Sequence, residues 1–108
     1  MSTRDKKRYY ALHAIGCVIC KIQGFEWTAA EIHHLVDKGY RKLSGGNQAT
    51  IPLCPWHHRG EPMDHTTRYM VATRGPSMAL ESKFFAATFG TQRELLARVN
   101  DMISCGKQ

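Results

Sequence analysis

Ile51-Pro52-Leu53-Cys54-Pro55-Trp56-His57-His58 is the stretch that decides the fold. It reads as a short apolar strand running into a turn of metal-binding side chains and then a helix start. Pro55 suits the first helical position, where its missing N–H would be unpaired anyway. Gly60 and Pro62 keep that helix short. A second double histidine, Ile32-His33-His34, lies upstream. The segment Trp27–Val36 allows helix through Ala29-Ala30-Glu31 and strand through Ile32, Leu35 and Val36; a strand over Glu31–Leu35 is the preferred reading. Ala49–Leu53 is predicted as its partner, and Asp37–Asn47 reads as a flexible basic loop holding Gly39, Gly45 and Gly46 with Arg41 and Lys42.

Upstream, residues 4–15 are predicted as a helix. Tyr9, Leu12 and Ile15 share one face, and Gly16 is its C-cap. Cys17–Gly24 then reads as a turn able to wrap a metal. Downstream, residues 60–76 read as an irregular insertion closed by Gly75-Pro76. Ser77 opens a helix to about Phe89, with Met78, Phe84, Phe85 and Phe89 as core candidates and Gly90 as its stop. Thr91-Gln92-Arg93-Glu94 has the form of a capping box. It starts a last helix whose apolar stripe is Leu95, Leu96, Val99, Met102 and Ile103.

A chain of 108 residues buries only a modest core, so a structural metal would help it considerably. The hydrophobic fraction of 43% excludes a disordered protein, and no apolar run approaches the ~20 residues that span a bilayer. The N-terminus is charged through Arg4, Asp5, Lys6, Lys7 and Arg8 without a following apolar signal core, which argues against secretion. The net charge of +6 and pI of about 9.4 favour a polyanion such as DNA or RNA as partner. The positive charge comes in small groups: Lys6-Lys7-Arg8, Lys38 with Arg41-Lys42, Arg59, Arg68 and Arg74.

Of the four cysteines, Cys17 and Cys20 form a Cys-x-x-Cys pair, and Cys54-x-x-His57 matches its spacing. Two such pairs, well separated, are the sequence form of a tetrahedral structural zinc site. Thiolates are soft ligands, and such a set favours zinc over magnesium. A redox role for the Cys-x-x-Cys pair lacks a thioredoxin-like strand–helix context. Cys105 is the other candidate for the fourth ligand place and otherwise a free thiol.

Neighbouring side chains on a strand point to opposite faces, so His33 and His34 cannot serve one ion from a regular strand. His58 follows the zinc ligand His57 and projects elsewhere. His33 and His58 can then hold a hydrated divalent ion with open positions, as phosphodiester cleavage requires. His34 can take a proton from water, since the ordinary imidazole pKa of about 6.5 lies close to neutrality.

The order Cys-x-x-Cys, Ile-His-His, then Ile-Pro-Leu-Cys-Pro-x-His-His-Arg-Gly resembles an HNH endonuclease of the ββα-metal (His-Me finger) type. More narrowly, it is similar to the phage Ref-like, RecA-dependent nuclease family. Gly75-Pro76-Ser77 and Phe89-Gly90-Thr91-Gln92-Arg93-Glu94-Leu95-Leu96 also resemble that branch, and the likeness covers most of residues 8–103. The resemblance implies His34 as general base, His33 and His58 as ligands of the catalytic ion, and Cys17, Cys20, Cys54 and His57 as the structural zinc set. Asn47 is the candidate for the family's central asparagine, although such asparagines often sit nearer the Leu-Cys element, where this chain has Ala49. A third ligand to the catalytic ion is left open between His65 and Asp64, because Glu61 and Pro62 occupy the place one turn after His58.

The expected fold is therefore α+β: a ββα-metal core with a structural zinc knuckle and flanking helices, in one domain over residues 1–108. Within it, 1–16 is the N-terminal helix, 17–59 the knuckle and core, 60–76 the insertion and 77–104 the C-terminal helices. The expected activity is metal-dependent endonuclease action on DNA in phage recombination, with RecA dependence implied by the family. Structural Zn²⁺ and a catalytic divalent ion (Mg²⁺, Mn²⁺ or Zn²⁺) are the cofactors. DNA and the RecA filament are the partners, with no membrane, in the bacterial host cytoplasm. Lys38, Arg41, Lys42 and Arg59 would hold flanking phosphates. Two rivals share the same fold: a non-catalytic zinc-dependent nucleic-acid-binding module, and a RecA-filament-binding recombination accessory.

Overall fold

The computed structural model describes residues 2–105. At its centre β1 (Glu31–His34) and β2 (Thr50–Leu53) pair antiparallel, with Glu31 opposite Leu53, Ile32 opposite Pro52, His33 opposite Ile51 and His34 opposite Thr50. Side chains directly opposite share a face. Glu31, His33, Ile51 and Leu53 therefore point one way, and Ile32, His34, Pro52 and Thr50 the other. All of β2 is buried, whereas β1 is half-buried throughout. The β1 side chains thus reach solvent from a strand whose partner is locked in the core.

Among the described residues, seven helices surround the pair: α1 (Thr3–Ile15), α2 (Val18–Ile22), α3 (Arg41–Ser44), α4 (Pro55–Arg59), α5 (Thr67–Arg74), α6 (Ser82–Phe89) and α7 (Gln92–Cys105), with a 3₁₀ turn at Gly46–Gln48. Arg8 of α1 donates to the Thr50 hydroxyl (2.8 Å), the Thr50 carbonyl (2.6 Å) and Asn100 Oδ1 of α7 (2.8 Å), so α1 lies over the His34–Thr50 face. The opposite face meets α4, whose His58 and Arg59 reach Glu31. Leu12, Val18, Ile19, Leu35, Ile51, Leu53, Trp56, Met70, Phe85, Leu95 and Val99 fill the space between the layers. None of the described helices is long and apolar enough to cross a membrane.

Local signals explain most boundaries. Gly16 ends α1 at φ +73°; a Cβ there would stand 2.7 Å from the Thr28 carbonyl oxygen and 2.8 Å from the Trp27 ring, so no other residue fits. Pro55 opens α4 and the Cys54 sulfur accepts from the His57 N–H. The capping box at α7 forms in both directions, Glu94 N–H to Thr91 Oγ1 (3.1 Å) and Thr91 N–H to Glu94 Oε1 (2.9 Å).

Several sequence expectations are corrected. Cys17–Gly24 is not a bare turn: it contains α2, capped by the Cys17 sulfur. The loop Asp37–Asn47 contains α3 and the start of the 3₁₀ turn, and Ser44 is buried there, bonded to the Lys38 N–H. The insertion 60–76 contains α5, capped by Thr66; it buries only Met70, and one apolar contact leaves no periodicity to read. The helix expected from Ser77 begins at Ser82. Ser77 is instead buried, accepting from the Leu80 N–H. In that helix Phe85 enters the core and its neighbour Phe84 is left 57% exposed, so Phe84 is not a core residue.

Candidate metal centres and active site

Cys17, Cys20, Cys54 and His57 converge, each at most 1% exposed, with their ligand atoms all within 4.8 Å of one another. The two-residue spacers do local work. In each pair the N–H of the second ligand donates to the sulfur of the first, Cys20 to Cys17 (3.5 Å) and His57 to Cys54 (3.4 Å). His57 Nδ1 lies 3.6, 3.6 and 3.3 Å from the sulfurs of Cys17, Cys20 and Cys54, and the Cys20 and Cys54 sulfurs are 3.9 Å apart. A tetrahedral zinc with bonds of ~2.3 Å to sulfur and ~2.0 Å to nitrogen gives edges of roughly 3.5–3.8 Å. The donor set fits zinc, and the four separations given lie within a few tenths of an ångström of those edges.

Arg74 holds the centre from behind. Its carbonyl accepts from His57 Nε2 (2.9 Å), which leaves Nδ1 as the free nitrogen facing the sulfurs. Its guanidinium donates to the Cys20 sulfur (3.0 Å) and lies over the Phe25 ring. Hydrogen bonding with Cys17, and then with Cys54, holds Cys20 well below the usual thiol range, toward thiolate. Burial alone would lower His57, but its bonds to Cys20 and Cys54 outweigh that and raise it to about 9. The cluster thus attracts positive charge. Cys105, the other candidate ligand, is exposed at the end of α7 and apart from it.

A second constellation lies on the Glu31–His33 face. His33 Nδ1 and His58 Nε2 face one another at 3.2 Å, with the rings near perpendicular at 69°. The outer nitrogen of each ring is engaged. His58 Nδ1 donates to Glu31 Oε1 (2.9 Å), since a carboxylate can only accept, and His33 Nε2 donates to Gln92 Oε1 (3.0 Å). Both inner nitrogens then present lone pairs to each other, which is repulsive unless a proton or cation stands between them. Burial, with the neighbouring His58 and His34 and then Arg41 adding to it, pushes His33 below the usual imidazole range, which disfavours the proton. Two nitrogens bound to one divalent ion at right angles stand ~3 Å apart, so the pair can hold an ion and leave its other positions open. Glu31 stands behind His58, on the far nitrogen, and is not a third ligand of that ion.

On the opposite face, His34 Nε2 bonds Asn47 Oδ1 (2.9 Å), with the Tyr9 hydroxyl 3.5 Å away. Asn47 Nδ2 donates to Asp5 Oδ2 (3.1 Å), and Gln48 donates to the other Asp5 oxygen (2.9 Å). Those two amides hold the Asp5 carboxyl below the usual range. Because Asp5 can only accept, it fixes which way the Asn47 amide points, and hence that His34 donates through Nε2. His34 Nδ1 is left as the basic atom.

The remaining expected site residues are placed less uniformly. Lys38, Arg41 and Lys42 are exposed around α3. Arg59 is not a free cation: it pairs with Glu31 at 2.9 Å, and that pairing is the main reason Glu31 lies below the usual carboxylate range. His65 does not join His33 and His58. It lies ahead of the α5 cap, exposed, with its ring 4.3 Å from that of Tyr69, and Asp64 is exposed beside it. Sequence reading missed Glu31, Gln92, Asp5 and Arg74. Strand alternation could have found Glu31, two residues before His33 on the same face. Nothing local marks the other three.

The family model described as recombination enhancement, RecA-dependent nuclease matches residues 2–104 of this chain.

Proposed function

The chain belongs to the recombination-enhancement, RecA-dependent nuclease family, and we propose that it is an HNH-type, metal-dependent endonuclease hydrolysing DNA phosphodiester bonds. The observation that carries this reading is the pair of inner nitrogens on His33 and His58, each with its outer nitrogen tied off, together with the His34–Asn47 bond on the other face of the same strand.

His34 Nδ1 takes the proton of an attacking water as its oxygen approaches the scissile phosphorus. Asn47 holds the ring, accepting from Nε2 and favouring the imidazolium that forms. His33 and His58 are the ligands of the catalytic divalent ion, and Glu31 and Gln92 fix their tautomers and orientation. When bound, that ion offsets charge on the phosphate and the leaving 3′ oxygen. The products are 5′-phosphate and 3′-hydroxyl ends. Cys17, Cys20, Cys54 and His57 hold a structural zinc, which ties α2 to α4 and so sets the height of His58 against β1. Lys38, Arg41 and Lys42 flank the site as phosphate contacts, Arg41 being close enough to influence His33. The work is done on DNA in concert with RecA filaments, within a domain spanning the whole chain.

The test is nicking of supercoiled plasmid and single-stranded circles, with Mg²⁺ or Mn²⁺ against EDTA and with or without RecA and ATP. The intact protein should cleave in a metal-dependent way, and His34→Ala should bind DNA but not cut it. A folded, zinc-containing sample that binds DNA and cuts nothing under any of these conditions points instead to a binding module.

A further inference from the structure

Away from both metal centres, a cleft of about 390 Å³ opens between α1 and α7, lined in part by Arg4, Lys7, Arg8, Gln48, Asn100 and Ser104. Arg8 forms its floor. This residue is only 9% exposed, and its side-chain hydrogen bonds go to the Thr50 hydroxyl, the Thr50 carbonyl and Asn100 Oδ1, all neutral acceptors. A guanidinium this buried ordinarily sits against a carboxylate or another anion. Here no described carboxylate lies within ion-pair reach of Arg8, and neither Arg4 nor Lys7 makes an ion pair among the described residues. Asp5, the acid of the same helix, has both oxygens engaged by Asn47 and Gln48. Burial, and then the neighbouring cation Arg4, push Arg8 below its ordinary range, as positive charge without counter-charge does.

The cleft also adjoins the catalytic face. Gln48 lines it and donates to Asp5, which accepts from Asn47, which accepts from His34. A hydrogen-bonded run of four residues thus leads from the cleft wall to the proposed base. The Lys6-Lys7-Arg8 cluster, which the metal chemistry leaves unexplained, supplies part of the cleft's charge.

We propose that this α1/α7 cleft is a phosphate-binding site for the backbone of the nucleic-acid substrate, beyond the scissile bond on the His34 side. Arg4 and Lys7 contact the phosphate oxygens, Ser104 offers a hydroxyl donor, and Arg8 supplies fixed positive potential from below. The ligand class rests on the nuclease reading. Binding here anchors the strand across α1 as well as across α3, so that a phosphodiester is held from both sides of β1.

The test uses the full chain carrying His34→Ala, so that binding is read without turnover. Fluorescence anisotropy with a labelled DNA duplex is followed against NaCl concentration. Arg4→Ala/Lys7→Ala is compared with the charge-matched pair Lys21→Ala/Lys83→Ala, all four positions being exposed. The cleft pair should weaken binding on the order of tenfold at low salt and flatten the slope of log K on log[salt] by about one to two units, as loss of phosphate contacts does. The charge-matched pair should change both far less, and Arg4→Lys/Lys7→Arg should retain the parent slope. Equal losses in the two alanine pairs would overturn the proposal, leaving only a general effect of net charge. So would unchanged DNA binding alongside lost binding of an acidic peptide. If the His34→Ala protein still cleaves, the catalytic assignment fails, while the salt-slope comparison remains decisive for the cleft.

Discussion

Cys20→Ser, or removal of zinc from the intact protein, should unfold this domain at moderately elevated temperature. The cluster ties Cys20 of α2 to Cys54 at the start of α4 across 34 positions of sequence. A cross-link closing a loop of that length removes about 4 kcal/mol of unfolded-chain freedom at 25 °C, on the scale used for covalent bridges. A chain of this size has only roughly 5–15 kcal/mol of stability in total. With ~4–8 °C of midpoint per kcal/mol at about 100 residues, the expected fall in Tm is on the order of 15–30 °C. The buried polar ligand groups left without a cation add to the loss, because all four residues are at most 1% exposed. The assay is a far-UV circular dichroism melt of zinc-loaded protein, of chelator-treated protein and of Cys20→Ser, with zinc counted by metal release on denaturation. One zinc per chain and a fall of that size are expected, with Cys105→Ser unchanged. Protein purified without zinc, or a midpoint shifted by less than about 5 °C on its removal, would refute the reasoning.

Three further outcomes are expected. Asp5→Ala frees the Asn47 amide to turn, and cleavage should slow on the order of five- to tenfold at saturating metal with DNA affinity held, read in single-turnover rates. Gln92→Ala removes the acceptor that orients His33; the Mn²⁺ concentration for half-maximal cleavage should rise ~10–100-fold while the rate at saturating metal changes little. Glu31 is held below its ordinary value of 4.5 mainly by Arg59, then by His58, so the stability it adds is fully present above that pH and is lost as pH falls through its lowered value. Glu31→Gln should therefore flatten the acid limb of a urea-midpoint profile between about pH 5 and pH 2, and an unchanged limb would count against the pairing.

The candidate zinc cluster is legible in the sequence because its ligands stand at short spacing. Cys17-x-x-Cys20 and Cys54-x-x-His57 each build half of the knuckle through a single turn, with an N–H-to-sulfur bond inside each pair. Alternation along β1 sends His33 and His34 to opposite faces whatever surrounds them. Pro55, Gly16 and the Thr91–Glu94 box set helix ends by local sterics and hydrogen bonds. The helices that were missed, α2, α3 and α5, are short and bury one side chain or a few, too little apolar repeat for periodicity to register. Phe84 is exposed because adjacent residues on a helix cannot both face the core and α6 packs through Phe85, while Ser77 spends its hydroxyl on the Leu80 N–H instead of opening that helix.

The sequence by itself thus determined the ligand chemistry, the two-faced strand and the caps, since each depends on neighbours within a few residues. Only the tertiary structure decided what holds those groups in place. Gln92 reaches His33 across 59 positions, Arg74 reaches Cys20 across 54, Asp5 meets Asn47 across 42, and Arg8 meets Asn100 across 92. No local pattern encodes such pairs, because each forms only after hydrophobic burial has closed the chain between them.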